Sequence, residues 1–186
     1  MKRTNRFNTF MLYGIFLLLY ILLFFYALIF KYISPWELFS SDREYIRSIN
    51  IIPLYTVYSY LSGSLNVSPV IVISNILGNI ILFIPLGIYL QLLKKNKKIW
   101  ISILIIFFIT LFIEMFQFIF GLGAADIDDI ILNCSGGLIG ILICRGLYAF
   151  LKSEEKVHTA IVLSGFIIIL IPVLVTIMFG FRFRLG

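Results

Sequence analysis

The residues with chemistry to offer are concentrated in one stretch, Phe112 to Gly140, which reads "FIEMFQFIFGLGAADIDDIILNCSGGLIG". Glu114 lies inside an apolar run, and Asp126, Asp128 and Asp129 stand at the mouth of the next one. Carboxylates at such spacing can accept hydrogen bonds from a polar headgroup, act together as general acid and base, or bind a hard cation through oxygen. Three aspartates at a helix start also have a plain structural use, because aspartate caps a helix N-terminus and complements its dipole.

What positions these groups follows from composition. The chain has 186 residues, 61% of them hydrophobic and 13% charged, with a mean hydropathy of +1.08. Soluble domains carry about 25% charged residues. A helical membrane protein accommodates this balance and a soluble core of this size does not. Five apolar segments are long enough to cross a bilayer: 9–30, 70–93, 99–120, 130–151 and 159–179. The fold class is therefore all-α, a single membrane domain of about five transmembrane helices over residues 1–186. The first segment follows Lys2, Arg3 and Arg6 like a signal peptide, yet its long apolar run ends without a small-residue cleavage site and reads as a retained anchor.

Basic residues set the orientation. Ten of the fifteen lie at the N-terminus, in the "KKNKK" loop at 94–98 and at Arg145, Lys152 and Lys156; five lie on the other side, Lys31, Arg43, Arg47, Arg182 and Arg184. The positive-inside rule then puts the N-terminus in the cytoplasm and the C-terminus outside. The net charge of +6 is topological and calls for no nucleic acid. Trp36, Trp100, Tyr32 and Tyr45 fit aromatic belts at the two interfaces. Residues 31–69, broken by Pro35, Pro53, Gly63 and Pro69, lie on the membrane surface or cap the bundle.

In this frame Glu114 is about 23 Å from the inner end of its span and roughly 9 Å from the outer end. A lipid-facing carboxylate near a span centre costs about 2.5–3.5 kcal/mol, so Glu114 faces the bundle. Thr110, Glu114 and Gln117 form one polar stripe. Asp129 and Asn133 share a face of the following helix, and Asn75 and Asn79 share a face of the helix containing Pro85. Gly136 and Gly140 form a small-residue face for close helix approach. Cys134 and Cys144, ten residues apart on one helix, cannot bridge. His158 is an interfacial residue. The inner halves of the spans read as almost purely apolar.

The candidate site is thus an outer-leaflet polar pocket built by Asn79, Glu114, Gln117, Asp126, Asp128, Asp129 and Asn133. Arg43, Arg47, Arg182 and Arg184 are its possible carboxylate or phosphate partners. One reading is non-enzymatic recognition of a lipid-linked or lipid-tailed molecule, without cofactor or metal, in contact with membrane lipids. A second is a membrane enzyme with Glu114 and Asp129 as acid and base, or with the aspartates on Mg2+ or Mn2+; no nucleophile, histidine base or phosphate motif accompanies them. A proton or ion pathway needs polar residues along a whole crossing. The structural alternative is that these groups only assemble the bundle.

Three segments, "RSINIIP" (Arg47 to Pro53), "NIILFIPLG" (Asn79 to Gly87) and "IEMFQFIFGLGAADIDDIILNCSGGLIG" (Ile113 to Gly140), resemble the VanZ-like membrane proteins over about residues 43–145. The "QFIFGLGAADIDD" portion is similar to the branch named for teicoplanin resistance. The resemblance implies a multi-pass protein of the bacterial cell membrane that lowers susceptibility to teicoplanin, a lipid-tailed glycopeptide. Its ligand would be that lipoglycopeptide or a lipid-linked cell-wall precursor. Many family members carry an arginine shortly before the acidic motif, where this chain has Gly123, Ala124 and Ala125.

Overall fold

Proline at position 69 opens the first long helix. Its ring presets φ for a first helical residue and holds Ser68 extended, with φ −59° and ψ 136°. The computed structural model describes residues 14, 17–22, 24–26, 40, 45, 47–55, 58, 59, 62, 68–93 and 98–165. Among them the long helices are α1 (Pro69–Leu92), α2 (Ile99–Phe120) and α3 (Ile127–Leu151), with a shorter α4 over 154–165. Two two-residue strands, β1 (Ile49–Asn50) and β2 (Ala125–Asp126), pair in parallel with Ile49 opposite Ala125 and Asn50 opposite Asp126.

α1, α2 and α3 correspond to the predicted spans 70–93, 99–120 and 130–151, and each is long and apolar enough to cross a membrane, with mean hydropathies of 2.2, 2.6 and 1.8. α3 starts three residues before its predicted span because Asp126 accepts a hydrogen bond from the N–H of Asp128 at 2.9 Å, the geometry of a helix cap. Of the predicted span 9–30, residues 14, 17–22 and 24–26 are helical; of 159–179, residues up to 165 lie in α4. The remainder of both falls outside the described residues, as do Arg43, Arg182, Arg184, Trp36 and Tyr32.

The chain divides into two compact units, Leu23–Gly146 and Met1–Leu22 with Leu147–Gly186. In the second, Val157 and Ile161 of α4 are buried. The first contains α1, α2, most of α3 and all the described candidate residues. Its apolar core is made by Val72, Phe83, Ile106, Ile113, Ile141 and Cys144, with Phe24 set edge-on to Phe83 at 5.1 Å between ring centroids.

Glycine brings α1 and α3 together. A Cβ on Gly136 would lie 2.1 Å from the carbonyl oxygen of Ile80, and one on Gly140 2.0 Å from that of Ile84. The approach is reciprocal, since a Cβ on Gly87 of α1 would meet the carbonyl oxygen of Gly137 at 2.1 Å. The expected small-residue face is therefore a backbone-to-backbone seam, and van der Waals packing of this kind is the main adhesive between helices in lipid. Both cysteines lie on α3 and are free thiols.

α2 has the opposite of a soluble helix's polarity. Its buried side is Ser102, Ile106, Thr110, Ile113, Glu114 and Gln117, while Phe108, Phe112, Met115 and Ile119 are exposed. The helix ends at Gly121, whose φ of +61° belongs to the left-handed region glycine tolerates. The N–H of Leu122 donates to Gln117 O at 2.8 Å and that of Gly121 to Phe118 O at 3.2 Å. This paired closure turns the chain directly into β2 and α3.

Candidate functional site

The predicted polar residues meet at the end of the bundle where α2 turns into α3. Glu114, Gln117, Asp128, Asp129 and Asn133 are 2–4% exposed and Asn79 is 6% exposed, so all six face inward. Asp126 is half-buried at the start of α3.

Several of these groups bond across the junction. Asn79 Nδ2 of α1 donates to Asp129 Oδ1 of α3. Asn133 Nδ2 donates to Thr110 Oγ1 of α2 at 2.7 Å. Glu114 Oε2 accepts the backbone N–H of Asp126 at 3.1 Å, which ties the turn back to α2. Buried interhelical bonds of this sort contribute about 0.6 kcal/mol apiece in a membrane, and their value lies in fixing which faces meet.

The segment 47–55 closes this end. Besides the β1–β2 pairing, Ala125 N donates to Ser48 O at 2.9 Å and Asn50 Nδ2 donates to Asp126 Oδ1 at 2.9 Å. Leu54, a non-glycine residue with φ +61°, donates its N–H to Asp128 Oδ1. Left-handed backbone costs a leucine about 1–2 kcal/mol, and a hydrogen bond to a carboxylate contributes a comparable amount. Of the two expectations for residues 31–69, lying on the membrane surface or capping the bundle, the bonds of 48–54 to 125–128 agree with the second. The cap's outward side is apolar and aromatic, with Ile51, Ile52, Leu54 and Tyr58 all more than half exposed.

Arg47, expected as a carboxylate or phosphate partner, lies at the C-terminal end of α2. It is exposed, its Nη2 donates to Ile119 O at 3.2 Å, and its Cζ lies 5.6 Å over the Tyr45 ring. It therefore satisfies a terminal carbonyl of α2 and complements the negative end of that helix, rather than pairing with a described carboxylate. Tyr45 in turn packs on Gly121, where an added Cβ would lie 2.7 Å from Tyr45 Cδ1.

The residues of this junction match a family. A family model described as VanZ/LLP1 matches residues 16–152. The chain belongs to the VanZ/LLP1 family. The match is wider than the 43–145 core that carried the resemblance and takes in all seven candidate residues of the junction. "Protein VanZ" of Enterococcus faecium is 30% identical over 121 residues, covering 63% of this chain and 74% of that protein. No solved structure matches this VanZ/LLP1 member.

Three polar residues, one at the junction and two at the far end of the helices, escaped sequence reasoning. Asn50 bridges the cap to Asp126, and its only sequence signal is a polar residue between Ile49 and the "IIP" that follows. Gln91 and Ser102 form a polar cluster at the opposite end of the helices, so the halves of the spans away from the junction, expected to be almost purely apolar, carry buried polar groups too. Gln91 Nε2 donates to Ser102 Oγ at 3.1 Å, and Arg145 Nε approaches Gln91 Oε1 at 3.5 Å, so all three helices contribute. Gln91→Leu is expected to cost about 0.6 kcal/mol per lost bond, a small drop in thermal midpoint of the purified protein.

Chemically, the junction is an array of oxygen acceptors under a cap. Among the described residues no group of three or more His, Cys, Asp or Glu side chains is arranged to hold a metal ion, so the Mg2+ or Mn2+ reading gains nothing here.

Proposed function

We propose that this protein is a multi-pass protein of the bacterial cell membrane that lowers susceptibility to teicoplanin or related lipid-tailed glycopeptides. It does so by recognising a lipid-linked or lipid-tailed molecule at the junction of Asn79, Glu114, Gln117, Asp126, Asp128, Asp129 and Asn133. The N-terminus is cytoplasmic, following the ten-to-five distribution of basic residues, which puts the junction in the outer leaflet.

The observation that carries the reading is the combination at one end of the bundle: buried acids directly beneath a cap whose outward face is apolar and aromatic. A lipid-tailed ligand has the same two parts. Its tail lies in the leaflet beside Ile51, Ile52, Leu54 and Tyr58, and its hydroxyl or amine donors meet the carboxylates. Intramembrane acids are costly enough to be functional by default.

The test is susceptibility of a sensitive Gram-positive host expressing wild type or Glu114→Gln, with membrane abundance measured. Wild type is expected to raise teicoplanin tolerance more than vancomycin tolerance. Glu114→Gln keeps an acceptor for the Asp126 N–H and removes the charge, so it is expected to lose the tolerance at equal abundance. An abundant wild-type protein that leaves teicoplanin susceptibility unchanged would overturn the proposal.

A further inference from the structure

The end of the bundle opposite the junction carries charge of one sign. From Leu54 to Ile113, a stretch that includes all of α1, the chain holds no acidic residue, and the carboxylates of α2 and α3 all belong to the junction. Lys94, Lys95 and Lys97 lie in the loop that leads from Leu93 to Lys98, and α3 adds Arg145. Glu154 and Glu155 follow α3, but Lys152 and Lys156 match them in number. An excess of positive charge therefore stays at this end, whatever pairs any one of these residues makes.

Helix energetics do not call for it. Lys98 stands immediately before α2, where a cation opposes the helix dipole. It makes no side-chain capping bond, and the first turn of α2 has no acid to offset it. Membrane topology accounts for lysines in a loop. It does not account for the setting of Arg145.

Arg145 lies six residues before the end of α3, and its Nε approaches Gln91 Oε1 at 3.5 Å. Gln91 Nε2 in turn donates to Ser102 Oγ at 3.1 Å, which puts Arg145 level with the last turn of α1 and the first turn of α2. Gln91 and Ser102 are buried, whereas Arg145 and Lys98 are exposed. A buried amide, itself anchored on a second helix, thus holds one edge of a guanidinium on an exposed residue. Trp100 is 61% exposed in the same turn of α2 as Ser102. An exposed indole at the end of a membrane-crossing helix marks headgroup depth. That is the level of lipid phosphates.

Guanidinium matches phosphate geometry, and lysines act on it as mobile point charges. Basic clusters directly after a spanning helix, and basic pockets between helices, attract anionic headgroups. We propose that Lys94, Lys95, Lys97, Lys98 and Arg145 form a docking surface for the phosphate of an anionic phospholipid, with Gln91 and Ser102 positioning Arg145. The surface is separate from the glycopeptide junction and lies at the other end of the helices.

The test uses the full chain with Trp36→Phe, which leaves Trp100 as the single tryptophan, in vesicles of phosphatidylcholine and phosphatidylglycerol with one lipid or the other brominated on its acyl chains. Quenching reads the relative occupancy of the two lipids beside Trp100. Phosphatidylglycerol is expected to be favoured about fivefold over its share of the vesicle, the effect of roughly one basic residue at an anionic surface. Arg145→Gln, and Gln91→Leu, which keeps every charge, are each expected to lower that ratio about twofold or more. The ratio, unlike a thermal midpoint, does not fall through lost stability alone. Native mass spectrometry of the unaltered chain, scoring retained phosphatidylglycerol against phosphatidylcholine, checks the same preference. No preference in either measurement would overturn the proposal, a result that depends on no charge variant folding. A full ratio retained in Arg145→Gln would overturn it as well. So would loss of the preference in excess soluble glycerol phosphate, which would make the ligand a free phosphate rather than a lipid.

Discussion

Gly140→Ala is expected to remove most of the folded protein from the membrane, and Gly146→Ala, six residues on in the same helix, to leave it unchanged or slightly increased. The added methyl at position 140 would stand 2.0 Å from Ile84 O and 2.9 Å from the carbon of that carbonyl, and 3.1 Å from Ile88 N. All three are backbone atoms of α1, so no side chain can rotate away. Relief requires α1 and α3 to separate by more than 1 Å, since even a close carbon-to-oxygen contact is about 3.3–3.6 Å. That separation would also loosen the matching contacts at Gly136 and Gly87 and draw Asn79 from Asp129. The cost is expected at about 3 kcal/mol, the upper part of the range for overpacking, because the interface has no slack. At Gly146 nothing lies within 4 Å of a new Cβ. There the substitution is expected to contribute about 0.5–1 kcal/mol through helix propensity alone. Size-exclusion profiles of the two variants, with membrane abundance, check both statements; a well-folded Gly140→Ala would mean that the seam is not a close contact.

The contrast also shows which features the sequence made legible. Period and polarity are properties of one segment, so Thr110, Glu114 and Gln117 could be assigned to one inward stripe from their spacing alone. The same holds for Gly136 and Gly140 and for the need of a cap before α3. Partnership between segments is different. Asp126, Asp128 and Asp129 look interchangeable in the string "DIDD", yet one caps α3 and binds Asn50, one receives the N–H of Leu54, and one receives Asn79. Which does which depends on the 47–55 segment reaching across the turn, a contact more than 70 residues away along the chain. Arg47 was likewise readable as a cation near acids. Its guanidinium instead reaches the C-terminus of α2, because the β1–β2 pairing and Tyr45 set its position there.

Gln91 and Ser102 went unread for a related reason. Each is a lone polar residue in an apolar run, and neither makes a stripe by itself. Only the crossing of α1 with α2 places them 3.1 Å apart. The polar inventory of the described bundle is thus spread over both ends, with the buried acids gathered at the capped one and Arg145 beside Gln91 at the other. This distribution favours a site at one membrane face over a continuous pathway through the helices.

Asp126→Ala tests whether the cap depends on the acids beneath it. One oxygen of Asp126 accepts both the Asn50 side-chain amide and the N–H of Asp128, each at 2.9 Å, so the substitution removes a helix cap and a cap-to-bundle bond together. The two losses are expected to total about 2–3 kcal/mol, felt locally. Amide exchange at Ala125, Asp128 and Leu54 is then expected to quicken by roughly 30–150-fold, since exchange follows the free energy of local opening. Arg47 is expected to become a tryptic site at the same time. Asp126→Asn keeps an acceptor of the same shape, and asparagine caps helices about as well as aspartate, so it is expected to retain most of the protection. Exchange in the Gln91 and Ser102 region should be unaffected by either change. Uniform loss of protection along α1, α2 and α3 would instead make Asp126 a requirement of the whole fold. A local effect would leave the cap as a separately opening element, and the buried acids as the surface it uncovers when it lifts.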